Sequence, residues 1–471
     1  MRTWRIGLTA VITAGMLLFV SSALFAGGQK ESNGGAAAAP NQAMNIQFKT
    51  DANGFKEPVW PTSATPASLT VWTWIKNADK LGQMFEKQFP NIKVTVPTVG
   101  SGQAEYTKLT TAIQAGSGAP DVVQIEFQFI PQFVNTGGLL DISKYVGALK
   151  PLFPEWTWNQ VSLDGKLYAI PQDAGPEGLI YRKDVFDKYN IPVPKTWAEF
   201  EQAGAKLHQA DPSTYLTFLG VNDPGEINGL LWQAGVFPFE STQNGWKINF
   251  VTPAARNVLN YWKGLVDKGY VKVSTDVWAA GWISELAKGN YASVIGAAWS
   301  PTYEIEPYVG KNSTQQWRVS EMPQWTPGGQ VASNWGGSTD AVTKQSKYPE
   351  AAAMFAGWLN TNKDAVALES TDIGEGGSGL FHANVFTDKI PNFSAPVPFL
   401  GGQVANTIFA KEMPWVDKNF QFSPWTSYVF NQMQLELTDF FSGKITTDQA
   451  LQNLQDKITA FAKAQGFQVA N

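Results

Sequence analysis

Apolar and polar residues alternate in blocks after residue 66, and the blocks predict three strands separated by two helices. Helical spacing of apolar residues in the first intervening segment indicates an amphipathic helix, and a second helix is predicted over 106–115. The short apolar runs that predict strands are 69–72, 92–96 and 122–125. Strands that alternate with helices are typical of an open parallel sheet, so the sequence predicts an α/β fold.

Polar and aromatic side chains follow two of these predicted strands. Trp72 and Trp74 lie at the end of the first, and Gln124, Glu126 and Gln128 lie at the end of the third. Open parallel sheets bind ligands at the carboxyl ends of their strands. Tryptophan beside carboxylate and amide groups suits a polyhydroxyl ligand better than a phosphate.

Local signals predict turns and helix starts farther along the chain. Asp164-Gly165 indicates a hairpin turn. Thr196 with Glu199 three residues later predicts a capping box at the start of a helix. The last two long helices are predicted over 419–441 and 447–464.

Composition limits the class of protein. A chain of 471 residues is too long for one ordinary core, which predicts two lobes or domains. The formal net charge is -5 and basic residues are dispersed, which argues against a nucleic-acid partner. The 19 tryptophans indicate flat stacking surfaces, a tryptophan-rich core, or both.

The amino terminus reads as a secretory signal over 1–26, with basic residues, an apolar run and a small-residue end. Residues 27–66 are predicted to be a flexible tether and an irregular lead-in. The segment LFAGG is similar to a lipid-attachment site with glycine in place of cysteine, and the chain contains no cysteine. We therefore expect a soluble periplasmic or secreted protein that is not a lipoprotein and has no disulfide.

Several segments together resemble a known family. They are FEKQFPNIKV, AGSGAPDVVQIEF, GGLLDISKYV, LDGKLYAIPQD, GLIYRKDVFDKYNIPVPKTWAEF, ELAKGNYASVIGAAW, NWGGSTDAVTKQSKYPEAAAMFAGWL and GKITTDQALQNLQDKI. In this order they resemble the maltose-binding-protein-like solute-binding proteins of sugar ABC transporters, over nearly everything after Ala67.

The resemblance implies a two-lobed periplasmic-binding-protein fold with a hinge and an interlobe cleft. It implies a first lobe of 67–167 and 299–359 and a second lobe of 168–298 and 360–471. It further implies a monomer that binds a carbohydrate and delivers it to an ABC permease in the inner membrane, without enzymatic activity, cofactor or metal. The many candidate tryptophans favour an oligosaccharide, because more than one sugar ring could stack.

Ten residues are candidates for ligand contact. Tryptophans predicted near strand ends or loops are the candidates for stacking, whereas Trp197, Trp262 and Trp358 have core spacing on amphipathic helices. The resemblance adds two carboxylates and a cleft-lining glycine pair. The full set is Trp74, Glu126, Asp173, Trp232, Trp278, Trp299, Trp335, Gly336, Gly337 and Trp425.

Other functions fit the sequence less well. A secreted glycoside hydrolase is the alternative, with Glu126 and Asp173 as its two carboxylates, but the strand–helix units do not predict an eight-fold barrel. The two histidines are far apart, the GEGGSG segment lacks the lysine of a phosphate loop, and no serine-hydrolase elbow occurs. An iron or oxyanion binder on the same scaffold would need clustered tyrosine or arginine, and the tryptophan excess argues against it.

Overall fold

Two β-sheets with flanking helices organise the computed structural model, which describes residues 43–62, 65–310, 313–372 and 375–470. The predicted signal segment 1–26 and the tether over 27–42 lie outside the described residues. Among the helices of the described ranges, none is both long and apolar enough to cross a membrane.

The strands are β1 Gln47–Thr50, β2 Lys56–Val59, β3 Ala67–Trp72, β4 Ile92–Thr95, β5 Val122–Glu126, β6 Ser162–Leu163, β7 Lys166–Leu167, β8 Ala169–Pro171, β9 Glu177–Arg182, β10 Thr217–Gly220, β11 Phe239–Thr242, β12 Gly245–Ile248, β13 Val271–Ser274, β14 Ser293–Ala297, β15 Trp317–Glu321 and β16 Ser338–Val342. The helices are α1 Ala78–Gln88, α2 Gln103–Ala115, α3 Ile130–Asn135, α4 Ser143–Val146, α5 Glu155–Gln160, α6 Lys183–Lys188, α7 Trp197–Ala210, α8 Pro224–Gln233, α9 Pro253–Asp267, α10 Ala280–Lys288, α11 Glu306–Val309, α12 Pro349–Leu359, α13 Lys363–Ser370, α14 Ala405–Glu412, α15 Thr426–Phe441 and α16 Thr447–Ala464.

The first sheet has the strand order β4-β3-β5-β16-β8. Strands β3, β4 and β5 are parallel, as predicted, and β16 runs antiparallel to both of its neighbours. Leu69 and Val71 on β3 and Leu81 and Phe85 on α1 are buried, which explains the apolar spacing of both segments. Because β3 and β5 are parallel, the residues that follow them meet at one edge of the sheet.

The second sheet has the antiparallel order β14-β9-β15. The parallel pair β10 and β13 continues it through a bridge between Tyr215 and Tyr291. Trp197 on α7 and Trp262 on α9 are each 1% exposed, so their predicted core role is confirmed.

Strand pairing corrects the predicted division of the chain. The predicted division places Ala169–Pro171 in the second lobe, but this strand pairs with β16 of the first sheet. It places Trp317–Glu321 in the first lobe, but that strand pairs with β9 of the second sheet. Helix α13, also assigned to the second lobe, packs against α1 and α12 beside the first sheet. An apolar run predicts a strand without specifying which sheet it joins.

The chain therefore crosses between the sheets near residues 172–176 and 333–337, and it crosses once more between α13 and α16. The first two crossings lie side by side, with a bridge between Pro176 and Asn334 and a hydrogen bond from Trp335 N to Gly175 O of 2.9 Å.

The predicted irregular lead-in contains a β-hairpin, which corrects that part of the 27–66 assignment. Strands β1 and β2 pair antiparallel, and Trp60 packs against Gly357 of α12, where a Cβ would lie 2.5 Å from the indole. An ion pair between Lys363 and Asp51 adds a second attachment. The hairpin is thus part of the first-sheet unit.

Two helix starts test the local predictions. The Thr196 side chain accepts from Glu199 N at 3.1 Å, whereas the Glu199 carboxylate accepts from Lys195 N at 2.7 Å, one residue before the predicted capping-box donor. Helix α15 begins at Thr426 rather than 419, because the residue before Pro424 is biased away from helical geometry. Helix α16 has the predicted bounds.

Candidate functional site

A cavity of about 210 Å³ lies where the carboxyl ends of β3 and β5 face residues that follow β14. Six of its lining residues are among the sequence-based candidates, namely Trp74, Glu126, Asp173, Trp299, Gly336 and Gly337. The other six are Ile75, Gly102, Gln124, Tyr303, Ser338 and Leu380. The structure therefore brings together residues that are more than 260 positions apart in the chain.

The first-sheet wall combines an aromatic ring with a carboxylate. Trp74 N donates to Gln124 Oε1 at 3.0 Å, which fixes the start of the loop after β3. The Trp74 ring meets the edge of Tyr106, with ring centroids 6.2 Å apart. The Tyr106 hydroxyl donates to Glu126 Oε2 at 3.0 Å. Indole and carboxylate are thus held beside each other by one tyrosine.

A chain of buried polar side chains lies behind this wall. Gln124 Nε2 donates to Gln172 Oε1 at 3.0 Å, and Gln172 Nε2 donates to Glu369 Oε1 at 3.2 Å. Glu369 Oε2 lies 3.1 Å from His382 Nε2. Burial lowers the pKa of His382 to about 3, so the ring is neutral, and Asn384 N donates to its Nδ1 at 3.2 Å. The imidazole hydrogen is therefore on Nε2 and donates to Glu369.

Asp173 and the glycine pair join the two crossings. Ser338 N donates to Asp173 Oδ1 at 2.6 Å, and burial raises the pKa of Asp173 to about 6. Gly337 has a φ of 84°, and a Cβ there would lie 3.0 Å from Asp173 O and 2.9 Å from the Phe127 ring. Only glycine fits this position without a shift of the neighbouring backbone.

Three tryptophans form the second-sheet wall. Trp299 lines the cavity, and its Nε1 donates to Trp335 O at 3.1 Å. The Trp299 ring contacts Trp335 edge-on at 5.0 Å between centroids and Trp278 at 6.3 Å. Trp335 and Trp278 therefore lie behind Trp299, away from the cavity, and their contacts set the orientation of its ring.

Trp278 has an unusual backbone. Its φ of 74° is in the left-handed region, which bulky residues rarely adopt. Its Nε1 donates to Asp223 Oδ2 at 2.9 Å, and Asp223 also caps α8. Strained residues of this kind concentrate at functional sites.

Carboxylates from both sheets influence one another near the cavity. The pKa of Glu126 is raised to about 7, first by burial, partly offset by the Tyr106 hydrogen bond, and raised further by the negative charges of Asp223 and Asp173. Burial also raises the pKa of Asp223, which lies beside the Trp278 ring that it holds by a hydrogen bond.

Two predicted contact residues lie elsewhere. Trp232 is 1% exposed and stacks on Phe420 with 4.1 Å between centroids, and its Nε1 donates to Asp417 O. Trp425 is 4% exposed and packs on Phe467 at 4.8 Å. Both side chains pack between distant segments of the chain, so they are packing residues in this structure.

Sequence reasoning missed Asp223 and Tyr303. Asp223 precedes Pro224 shortly after a strand, which is a recognisable N-cap signal at a strand end. Tyr303 lies four residues after Trp299 on a π-helical turn, and its hydroxyl donates to Ser378 O on the opposite side. Turns of this kind are frequent at functional sites. Within the described ranges, no group of three histidine or acidic side chains is arranged to hold a metal ion.

Residues 25–366 match a family model described as bacterial extracellular solute-binding protein. The arabinooligosaccharide-binding protein of Halalkalibacterium halodurans is 24% identical over 298 residues, covering 60% of this chain and 63% of that protein. The lactose-binding protein of Rhizobium radiobacter is 23% identical over 313 residues, covering 62% of this chain and 70% of that protein.

A similar solved structure is the ABC transporter associated binding protein from B. animalis subsp. lactis Bl-04 in complex with beta-1,6-galactobiose. It is 28% identical, has a TM-score of 0.73, and the match covers 86% of this chain and 100% of that one. The predicted two-lobed α/β fold is thereby confirmed. With the family match extending over most of the sequence, the chain belongs to the bacterial extracellular solute-binding proteins.

Proposed function

We propose that the protein binds a carbohydrate in the cavity between its two sheets and delivers it to the permease of an ABC importer. The observation that supports this most is the meeting of Trp74 and Trp299 with Glu126 and Asp173 in one cavity. The sugars in the names of the similar proteins agree with it.

The chemistry of the cavity suits sugar rings. The apolar face of a pyranose stacks on an indole, which contributes about 0.5–1.5 kcal/mol beyond burial. Carboxylate and amide oxygens accept hydrogen bonds from hydroxyl groups. A ligand that contacts Glu126 on the first sheet and Trp299 on the second binds the closed form more tightly than the open form, and so favours closure.

The proposal assigns β1–β5, β8, β16, α12 and α13 to the first lobe and β9–β15, α7–α10 and α16 to the second. In this proposal the protein is a monomer that binds an oligosaccharide and has no catalytic activity. A hydrolase would need its two carboxyl groups on either side of a glycosidic bond, at about 5–5.5 Å or 6.5–9.5 Å from each other. The similar proteins named above are binding proteins, which favours carriage without cleavage.

We further propose that the mature protein begins near Gly27 and carries no lipid, because the sequence has no cysteine for thioether attachment. Mass spectrometry of protein exported by its own host tests this. An acylated amino terminus or a retained 1–26 segment contradicts it.

A sugar panel tests the central proposal. Ligand at 100 times its Kd adds about 2.7 kcal/mol to the free energy of unfolding, so thermal unfolding in the presence of mono- and oligosaccharides should reveal the ligand. The positive sugars are then incubated with protein and analysed by chromatography. Intact sugar is expected, whereas cleavage products would favour the hydrolase, and a panel without any thermal shift would contradict carbohydrate binding.

A further inference from the structure

The charged residues that line the cavity are all acidic. Of its twelve lining residues, two are carboxylic acids and none is lysine, arginine or histidine. Asp223, which accepts from the Trp278 indole behind Trp299, adds a third carboxyl group from the second-sheet side, and its negative charge raises the pKa of Glu126.

Positive groups near the cavity do not neutralise these carboxylates in the structure. Lys76 follows the lining residue Ile75 but is exposed at the surface. Lys80 Nζ donates to Gly376 O at 3.4 Å. His382, which pairs with the backbone of Asp173, is buried and neutral.

The hydrogen bonds that the structure gives these carboxylates come from uncharged donors. Tyr106 donates to Glu126, the Ser338 amide donates to Asp173, and the Trp278 indole donates to Asp223. Uncharged donors orient a carboxylate without cancelling its charge. At pH 7, Asp173, with a pKa of about 6, is mostly ionised, and Glu126, with a pKa of about 7, is about half ionised, so the potential at the cavity is negative. The partly water-excluded setting strengthens its effect on a bound ligand.

We infer that this cleft selects saccharides by charge: it admits neutral sugars, binds amino sugars that carry an ammonium group more tightly, and rejects uronic acids. The inference rests on the proposed function and specifies its ligand class. A sugar carboxylate would face Glu126 and Asp173, with Asp223 farther back beside Trp278, and no lining residue that the structure describes is a cation that could pair with it, which is costly in a desolvated site. An ammonium group would instead offset the repulsion among the three carboxyl groups.

Calorimetry on matched sugars tests the inference. The neutral sugar that binds best in the panel is compared at pH 7 with its uronic acid and with its 2-amino-2-deoxy derivative. We expect the uronic acid to bind at least tenfold more weakly than the neutral sugar, and the amino derivative to bind at least threefold more tightly. Raising the salt concentration should bring the two Kd ratios, of uronic acid and of amino sugar to neutral sugar, only partly toward one, because buried charges are weakly screened.

Charge-neutral variants separate charge from shape. Glu126→Gln and Asp223→Asn remove the charge of each side chain and preserve its size. Because the repulsion is weakened, each variant should bring the ratio of the uronic-acid Kd to the neutral-sugar Kd at least threefold closer to one. Lys76→Gln is the matched surface control and should leave that ratio unchanged.

Equal affinity for the neutral sugar and its uronic acid in the unaltered protein overturns the inference and leaves carbohydrate binding intact. A ratio that stays the same in both charge-neutral variants also overturns it, because the discrimination would then be steric. Absence of binding by every saccharide, charged or not, overturns the proposed function together with the inference.

Discussion

Replacement of Trp299 by alanine removes the one cavity-lining indole of the second-sheet wall. The loss comprises a stacking contribution of about 0.5–1.5 kcal/mol beyond burial and the burial of the ring face itself, about 25 cal/mol per Å² of apolar area. Removing the indole also leaves Trp335 O without its 3.1 Å donor and takes away one of the rings beside Trp278. Together these effects predict a loss of about 1.4–3 kcal/mol, equivalent to sugar binding that is about 10- to 150-fold weaker.

Calorimetry with the sugar identified by the panel measures this change, and two further variants make it specific. Trp299→Phe keeps a ring but loses the hydrogen bond, whose net contribution is about 0.5–1.5 kcal/mol, so an intermediate affinity is expected. Trp325→Ala is the matched control, because Trp325 is 38% exposed and packs on Trp197 and Tyr261 outside the cavity. If Trp299→Ala binds sugar as tightly as Trp325→Ala, Trp299 is not a stacking residue and the assignment of this wall is wrong.

Three further predictions concern the crossings, the buried acids and closure. Gly175→Ala would place a Cβ 2.0 Å from Trp335 O, so we expect lower affinity and a lower melting temperature. Gly264→Ala in helix α9, with open space around its Cβ, should leave affinity unchanged and raise the melting temperature slightly, because alanine favours a helix more than glycine does. Equal melting temperatures for the two variants would contradict the tight approach of the crossings. Burial raises the pKa of Glu304 from 4.5 to about 8, so the folded protein holds a proton that the unfolded chain releases. The free energy of unfolding should therefore fall as the pH rises from about 4.5 to 8, and Glu304→Gln should reduce this pH dependence in denaturant titrations. An identical pH dependence in the variant would count against the assignment. Asp173→Asn should weaken sugar binding and reduce the compaction that small-angle scattering detects on adding saturating sugar; unaltered compaction would show that this carboxyl does not link ligand to closure.

The sequence predicts the elements of the first sheet well because their signals are local. The apolar runs at β3, β4 and β5 and the helical spacing in α1 each depend on residues within a few positions of one another. Trp74 and Glu126 lie at the same edge of the sheet because the two neighbouring strands that precede them are parallel, whereas their contact with ligand stays a prediction.

Long-range pairing explains what the sequence did not predict. Nothing in the residues of β8 and β15 specifies a sheet, and only their partners, β16 and β9, decide which lobe they join. Trp232 and Trp299 are equally plausible as stacking residues by sequence position. Trp232 becomes a packing residue because it contacts Phe420 and Asp417, almost 190 positions later in the chain.

The neighbouring indoles of Trp278, Trp299 and Trp335 make the intrinsic fluorescence of the protein sensitive to ligand in the cavity. Their centroid separations of 6.3 and 5.0 Å allow excitation energy to pass among them, so emission from the group depends on the environment of the most accessible ring. A sugar that covers Trp299 would displace water from that ring and shift its emission to shorter wavelength. Fully buried tryptophans elsewhere in the chain would add a constant background, which the spectrum of Trp299→Phe allows to be subtracted. Ligand affinity and the rate of closure can thus be followed by intrinsic fluorescence, without any attached dye.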